Sequence, residues 1–436
     1  MKKSFLVVLL VTVMCFSVFA NGAKEGQAAA VDPNAPVTLT VLTTAITQKP
    51  EGPLFEEFVA EFQRQHPNVT VELTGVPMNQ ALQRITTLAA SGSLPDIFVD
   101  TENNVSKLED MGICEDLSAY MTQAETANIV DAIRDGSTVN GKLVMYPWYS
   151  GPNALIFRQD WLDEAGLKAP ATLGEVLAAA QALTKDTNGD GIVDRYGFGL
   201  IGTNDDSGQV RFVMILRSFG ARELYQDADG NWKTEIGTPE SIDAFTYFRD
   251  LKTKYGVVPP GALENSFNEN VNLMAAEQIG MLIAGSNSVG KIFTANPSLR
   301  DKIVSVEMPS VKTTFTPVSI LGWSVNAESR NKELAVEFAK FISSKQNSIR
   351  WVETTGRLPV MKDALAESEY LGTPLFEGFI AGTEASQQVP NAPFYAEVKS
   401  ELGKTYQKLM LNPSSDVAAE VKACQRAIEQ IIANNT

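Results

Sequence analysis

The chain has one histidine, His66, in the segment Arg64-Gln65-His66-Pro67 at the end of a predicted helix. A Ser-His-Asp or Cys-His nucleophile system would have to move its proton through that ring. A histidine before proline at a helix end reads instead as a solvated cap, so nucleophilic catalysis by His66 is set aside. The three cysteines, Cys15, Cys114 and Cys424, are too few for a zinc cluster. Gly197-Phe198-Gly199-Leu200-Ile201-Gly202 has the spacing of a dinucleotide-binding fingerprint. That fingerprint needs a strand before it and a helix starting inside it. Here an Asp-rich loop precedes and Thr203-Asn204-Asp205-Asp206 follows, so the run reads as a glycine-containing strand. The 52 Asp and Glu residues leave an acid–base pair of the glycosidase kind open by count, but no two are marked by their spacing.

Two constellations are sharper. In Asp186-Thr187-Asn188-Gly189-Asp190-Gly191-Ile192-Val193-Asp194, oxygen side chains fall at loop positions one, three, five and nine, with glycine at six. That is the first part of an EF-hand-like loop, in which position seven offers its carbonyl. Asp186, Asn188, Asp190, the Ile192 carbonyl and Asp194 would then hold a structural calcium ion, the only metal the sequence suggests. Position twelve is Gly197, so the bidentate Glu is missing. The other reading is an Asp/Gly-rich hairpin turn without metal. The second constellation is aromatic. Trp148 and Tyr149 stand in a stretch broken by Pro147, Gly151 and Pro152, and Trp323 lies in an apolar run. Aromatic rings in such a place either pack a core or stack on the C–H faces of a sugar.

These residues need elements to carry them. Val37–Leu42 is a predicted strand, Pro53–Phe62 a helix with Phe55, Phe58, Val59 and Phe62 on one face, and Val69–Leu73 a strand. Ala81–Ala89 is a helix closed by Gly92, and Leu94–Asp100 a short buried strand. This β-α-β-α-β order predicts a parallel sheet with right-handed crossovers. Thr172-Leu173-Gly174-Glu175 is a capping box, Thr238-Pro239-Glu240 starts another helix, Met281–Ala284 and Ile320–Val325 are strands, and Asn331–Ser343 is a helix. Ligands of open α/β sheets sit beyond the carboxyl ends of the strands. That places Thr43-Thr44, Asp100-Thr101-Glu102-Asn103, Trp148-Tyr149 and Ser286-Asn287-Ser288 at a candidate cleft.

At the amino end, Lys2 and Lys3 precede an apolar run, Phe5–Ala20, that closes with Val18-Phe19-Ala20. That is the pattern of a cleaved signal peptide, too short for a spanning helix. Cys15 lacks the small residues that lipoprotein cleavage requires before its cysteine, so no lipid anchor is expected. A tether at 21–36 follows. A net charge of −16 disfavours nucleic acid and anionic membrane as partners. The length allows two lobes of ordinary size.

The stretch Gly141–Leu167 joins two apolar runs through an aromatic, Pro/Gly-interrupted crossing and ends in a short helix. It resembles the crossover strand of the sugar-binding family of extracellular solute-binding proteins of ABC importers (the maltose-binding-protein-like family 1). Ser93-Leu94-Pro95-Asp96-Ile97, Gly280–Ser286, Gly322-Trp323 through Asn331-Lys332, and Thr355-Gly356-Arg357-Leu358-Pro359-Val360 resemble four further segments of that family, in the same order. The chain departs from it at Phe157-Arg158, where Tyr-Asn is usual, and at Thr44 and Asn287, where Trp is common.

The resemblance implies an α/β, two-lobed periplasmic binding protein fold, with hinged lobes and a central cleft. The expected N-lobe is 37–149 and 285–345, the C-lobe 150–284 and 346–436. The expected hinge segments lie near Trp148–Asn153, Gly280–Gly285 and Ser343–Arg350. It further implies a monomer in the periplasm or outside the cell, with no chemistry and no required cofactor. This monomer would capture a sugar or oligosaccharide and deliver it to a membrane permease. The expected ligand-binding residues are Thr44, Asp100, Thr101, Trp148, Tyr149, Asn153, Asn287, Trp323 and Arg357. A secreted carbohydrate-active enzyme is the alternative.

Overall fold

The computed structural model describes residues 35–317 and 319–435. The expected signal peptide and nearly all of the expected tether lie outside the described residues. Two sheets organise the chain. The first has six strands, in spatial order β10-β4-β9-β3-β1-β2: β1 Val37–Thr43, β2 Val69–Gly75, β3 Ile97–Thr101, β4 Tyr146–Ser150, β9 Ile320–Val325 and β10 Leu358–Pro359. The second has four, in order β8-β5-β7-β6: β5 Asn153–Arg158, β6 Tyr196–Gly199, β7 Ile279–Gly285 and β8 Ile303–Val306. Strand β1 pairs in parallel with β2 and β3, as the β-α-β-α-β order predicts, and β9 runs antiparallel between β3 and β4.

Sequence explains why these segments take this form. Helix Glu51–Gln65 buries Phe55, Phe58, Val59 and Phe62 against the first sheet. Every residue of β5 is buried, the signature of a strand covered on both faces. Its side chains divide with period two. Leu155 and Phe157 enter one core, and Ala154 and Ile156 another. The helix Leu173–Leu183 begins at the predicted capping box of Thr172 and Glu175. Gly197 lies in β6, where a Cβ would stand 2.0 Å from the Ala180 carbonyl oxygen. Gly197 thus serves close packing of a helix on a strand, while a Cβ at Gly202 would stand 2.4 Å from the Ala262 carbonyl oxygen.

The chain passes from the first sheet to the second at Gly151-Pro152, between β4 and β5, as expected. The strand before that crossing is not the expected one. Tyr146–Ser150, aromatic pair and Pro147 included, is itself the strand, and Leu143 belongs to a two-residue pairing with Thr138. Pro147 is accommodated because the register between β4 and β9 shifts between Leu321 and Gly322. A bulge needs no ladder N–H from the proline. A Cβ at Gly322 would come within 2.5 Å of the Tyr146 carbonyl, so the bulge also fixes that glycine.

Sheet membership divides the chain differently from the expected lobes in two places. β8 pairs with β5, and Val289, Ile292 and Phe293 of the helix Asn287–Ala295 pack in a core of the second sheet. Residues 285–306 therefore stay with the second sheet. Conversely, β10 pairs with β4, and Trp351, Val360 and Met361 pack in the first core. The second and third crossings thus fall later than Gly280–Gly285 and Ser343–Arg350. Two crossing segments touch, with the Gly151 N–H donating to the Ser319 carbonyl at 3.1 Å. Among the described residues no helix is long and apolar enough to cross a membrane. Cys114 and Cys424 are both free and lie in separate cores.

Candidate functional site

A cavity of about 370 Å³ opens between the two sheets. On the side of the first sheet its lining comes from Glu102 and Asn103, just after β3, from Gly151 at the end of β4, and from Arg357 beside β10. On the side of the second sheet it comes from Asn153, Asn287 just after β7, and Phe267. The helix Asp206–Ser218 adds Asp206, Ser207 and Arg211. Phe315 lies in the loop before β9, and Tyr395 and Lys399 open the helix Tyr395–Leu411. The carboxyl ends of β3, β4 and β7 all point at this space, which is where an open α/β sheet binds.

Local chemistry positions these groups. Asp205 caps the helix Asp206–Ser218 by accepting the Gly208 N–H at 3.0 Å. Phe212, Val213, Ile215 and Leu216 then anchor that helix in the core and leave Ser207 and Arg211 at the cavity. The Arg211 guanidinium donates to the Ser207 carbonyl at 3.1 Å and reaches the Ile283 carbonyl at 3.5 Å. Its carbon lies 5.4 Å from the Phe267 ring centre, and Lys291 approaches the same ring to 5.2 Å. Burial lowers the Arg211 pKa to about 10, against the charges of Asp206 and Asp205. Glu102 accepts the Ile320 N–H at 2.8 Å, and burial nevertheless raises its carboxyl to about 7. Lys399 pairs with Asp206, and the Tyr395 hydroxyl donates to Glu223 at 2.7 Å. Glu223 is fully buried and holds Arg217 in a two-pronged pair at 2.7 and 2.9 Å. The wall behind Tyr395 is therefore tied together by an ion pair and a hydrogen bond.

Of the nine expected ligand-binding residues, Asn153, Asn287 and Arg357 line the cavity. Asn153 Oδ1 and Arg357 Nε are buried and have no hydrogen-bond partner among the described residues. Tyr149 is buried one layer behind, with the Arg357 guanidinium 4.8 Å over its ring. The other five stand away from the cavity. Trp148 and Trp323 are fully buried, stacked at 5.0 Å, and packed on Phe55 and on Trp351, which lies 4.4 Å from Trp148. β4 and β9 are interior strands, and helix Glu51–Gln65 covers the face that carries both rings. Thr44 is fully buried, and its carbonyl accepts the Thr47 hydroxyl. Asp100 points into the sheet, accepting the Thr101 N–H at 2.7 Å and the Ser324 hydroxyl at 3.1 Å. Burial raises Asp100 to about 7. The Thr101 hydroxyl accepts from Asn104.

In the Asp186–Asp194 loop the side-chain oxygens accept from the loop itself. Asp186 takes the Gly189 and Gly191 N–H groups, Asn188 that of Asp190, and Asp190 that of Ile192. Asp194 takes the Thr187 N–H and hydroxyl. No group of three or more His, Cys, Asp or Glu side chains among the described residues is close enough to hold a metal ion.

Glu102 and Asn103, which directly follow β3, line the cavity as the strand-end rule placed them. Sequence missed Asp206 and Ser207, which follow the loop after β6. Phe267, Phe315 and Tyr395 come from loops and helix starts that no strand periodicity marks.

Fold and cleft together define a two-sheet protein with a cavity of polar and aromatic walls between the sheets. Residues 46–349 match the bacterial extracellular solute-binding protein family, and the chain belongs to that family. A binding protein of Brucella abortus is 23% identical over 386 residues, 88% of this chain and 92% of that protein. A Thermotoga lettingae ABC transporter solute-binding protein, solved with α-D-tagatose, superposes with a TM-score of 0.75 at 22% identity over 91% of this chain and 99% of its own. The Thermus thermophilus maltotriose-binding protein, solved with maltotriose, gives 0.72 at 25% identity over 90% of this chain and all of its own.

Proposed function

We propose that this protein captures a sugar or short oligosaccharide outside the cytoplasm and delivers it to an ABC importer permease, performing no chemistry itself. The observation that carries this is the cavity between the two sheets. Phe267, Phe315 and Tyr395 supply ring surface, while Asn103, Asn153 and Asn287 supply donors and acceptors for hydroxyls. The related structures hold tagatose and maltotriose, which supports a saccharide ligand. Its volume, near the lower bound of small-molecule sites, suits one or two sugar units. A thermal-shift screen of the full chain without residues 1–20, over mono- and oligosaccharides, tests it. A ligand at 100 times its Kd adds about 2.7 kcal/mol of stability. No shift with any saccharide overturns the reading.

One observation favours a second reading. Glu102 and Asp206 both line the cavity, and a carboxyl raised to about 7 is the kind an acid catalyst uses. Hydrolysis of an oligosaccharide by the pure protein, lost in Glu102→Gln, would establish an enzyme in place of a carrier. Export with cleavage after Ala20, and a structural calcium ion in the Asp186–Asp194 loop, are further parts of the proposal. Both rest on sequence pattern. The intact mass of the exported protein tests the first.

A further inference from the structure

Resting on the saccharide reading of the cavity, we propose that the ligand is an acidic sugar of the uronate class. Its carboxylate would pair with Arg211, and Arg357 would be the second cation of the site. The charged groups that face the cavity do not cancel. Asp206 is neutralised by Lys399, and Asp205 is engaged in capping its helix. Arg357 makes a single long contact with Glu51, at 3.5 Å, and its buried Nε has no partner among the described residues. Arg211 has no ion pair among the described residues. Its donors reach only the neutral carbonyls of Ser207 and Ile283, and its face lies over Phe267.

A half-buried guanidinium with no carboxylate in contact has donors to spare, and its planar fork matches a carboxylate in two-pronged fashion. Glu102 does not supply that anion: its carboxyl oxygens accept from the Ile320 N–H and the Asn103 carboxamide and make no ion pair with Arg211. In a chain of net charge −16, two under-compensated arginines sharing one cavity with three carboxamides and three aromatic rings form a local exception. A sugar ring explains the aromatic and carboxamide groups, and a carboxylate on that ring explains the arginines.

Calorimetry with D-galacturonate, D-glucuronate and digalacturonate against D-galactose and D-glucose tests the inference on the full chain without residues 1–20. The acidic member of at least one pair should bind tenfold or more tighter than its neutral counterpart, and that ratio should shrink as salt rises. Arg211→Gln should bring the ratio towards one, while Arg211→Lys should restore part of it. The melting temperature of each variant identifies any that fails to fold, and Arg357→Gln then supplies an independent loss of the ratio. Equal or tighter binding of neutral sugars overturns the acidic ligand while leaving the saccharide reading intact. Tighter binding of a hexose 6-phosphate than of any uronate also overturns it. Binding of none of these sugars overturns the acidic ligand, and the saccharide reading then stands or falls on the thermal-shift screen alone.

Discussion

Two walls of this molecule are built from aromatic rings, and only one of them meets a ligand-sized space. Trp148, Trp323, Trp351 and Phe55 form a closed stack in the first core, without solvent access. Phe267, Phe315 and Tyr395, on the side of the second sheet, border the cavity. The first group looks more functional in sequence, since it sits beside Pro147, Gly151 and Pro152. The difference lies in what covers each ring. Interior strands flanked on both sides, under a helix, bury whatever they carry. Loop and helix-start residues beyond the strand ends are covered only in part, and keep an edge or face towards the cavity.

That contrast can be broken or sharpened by measurement. The largest effect is expected from the closed stack. Trp148→Ala should destabilise the fold by about 3–5 kcal/mol, read as a fall in denaturation midpoint. A variant as stable as the parent would return Trp148 to the cleft. Next come the carboxylates, Asp100 behind the wall and Glu102 at the cavity. A carboxyl raised in the fold to about 7 holds its proton after the unfolded chain has lost it. Its contribution is therefore full below about pH 4 and is lost as pH rises to about 7. Asp100→Asn should flatten that decline and, above pH 7, be more stable than the parent, by an amount on the order of a few kcal/mol. Urea titrations at pH 4, 6 and 8 check this, and parallel curves for the two proteins would contradict it.

A smaller effect belongs to the open wall. Phe267→Ala should cost little stability and weaken saccharide binding by roughly tenfold, about 1.4 kcal/mol. Unchanged affinity by calorimetry would remove that ring from the site. The smallest effect concerns the Asp186–Asp194 loop, already tied by its own hydrogen bonds. If calcium is held there, it should raise the melting temperature by a few degrees, and Asp190→Ala should abolish the rise. Equal melting in calcium and in chelator would leave a hairpin turn alone.

The fold was largely readable because its signals are local and periodic. The β-α-β-α-β order from Val37 to Thr101, the capping box at Thr172 and the strand at Ile320 each follow from spacing within one segment. The cleft could be located in general, since Glu102, Asn153 and Asn287 all stand next to strand ends. Which side chains turn into it could not, because that depends on long-range cover. Trp323 is hidden by Phe55, more than 250 residues away in sequence, and Arg211 reaches the cavity from a helix whose register carries no mark of function. The edge strands β8 and β10 were missed for the same reason. Leu358-Pro359 becomes a strand only because β4 offers it a free edge.

That last pairing bears on the order in which the protein can assemble. The first sheet draws β1 to β4 from the opening third of the chain, but β9 inserts between β3 and β4, and β10 closes the far edge. During synthesis β3 and β4 therefore wait with exposed ladder edges until residue 325 has emerged, and the sheet is finished only after residue 359 of 436. A nascent chain of this design cannot complete its first lobe early, and domain-by-domain folding is denied to it. Closure of its first sheet is therefore a late event, set by where two short strands stand in the sequence.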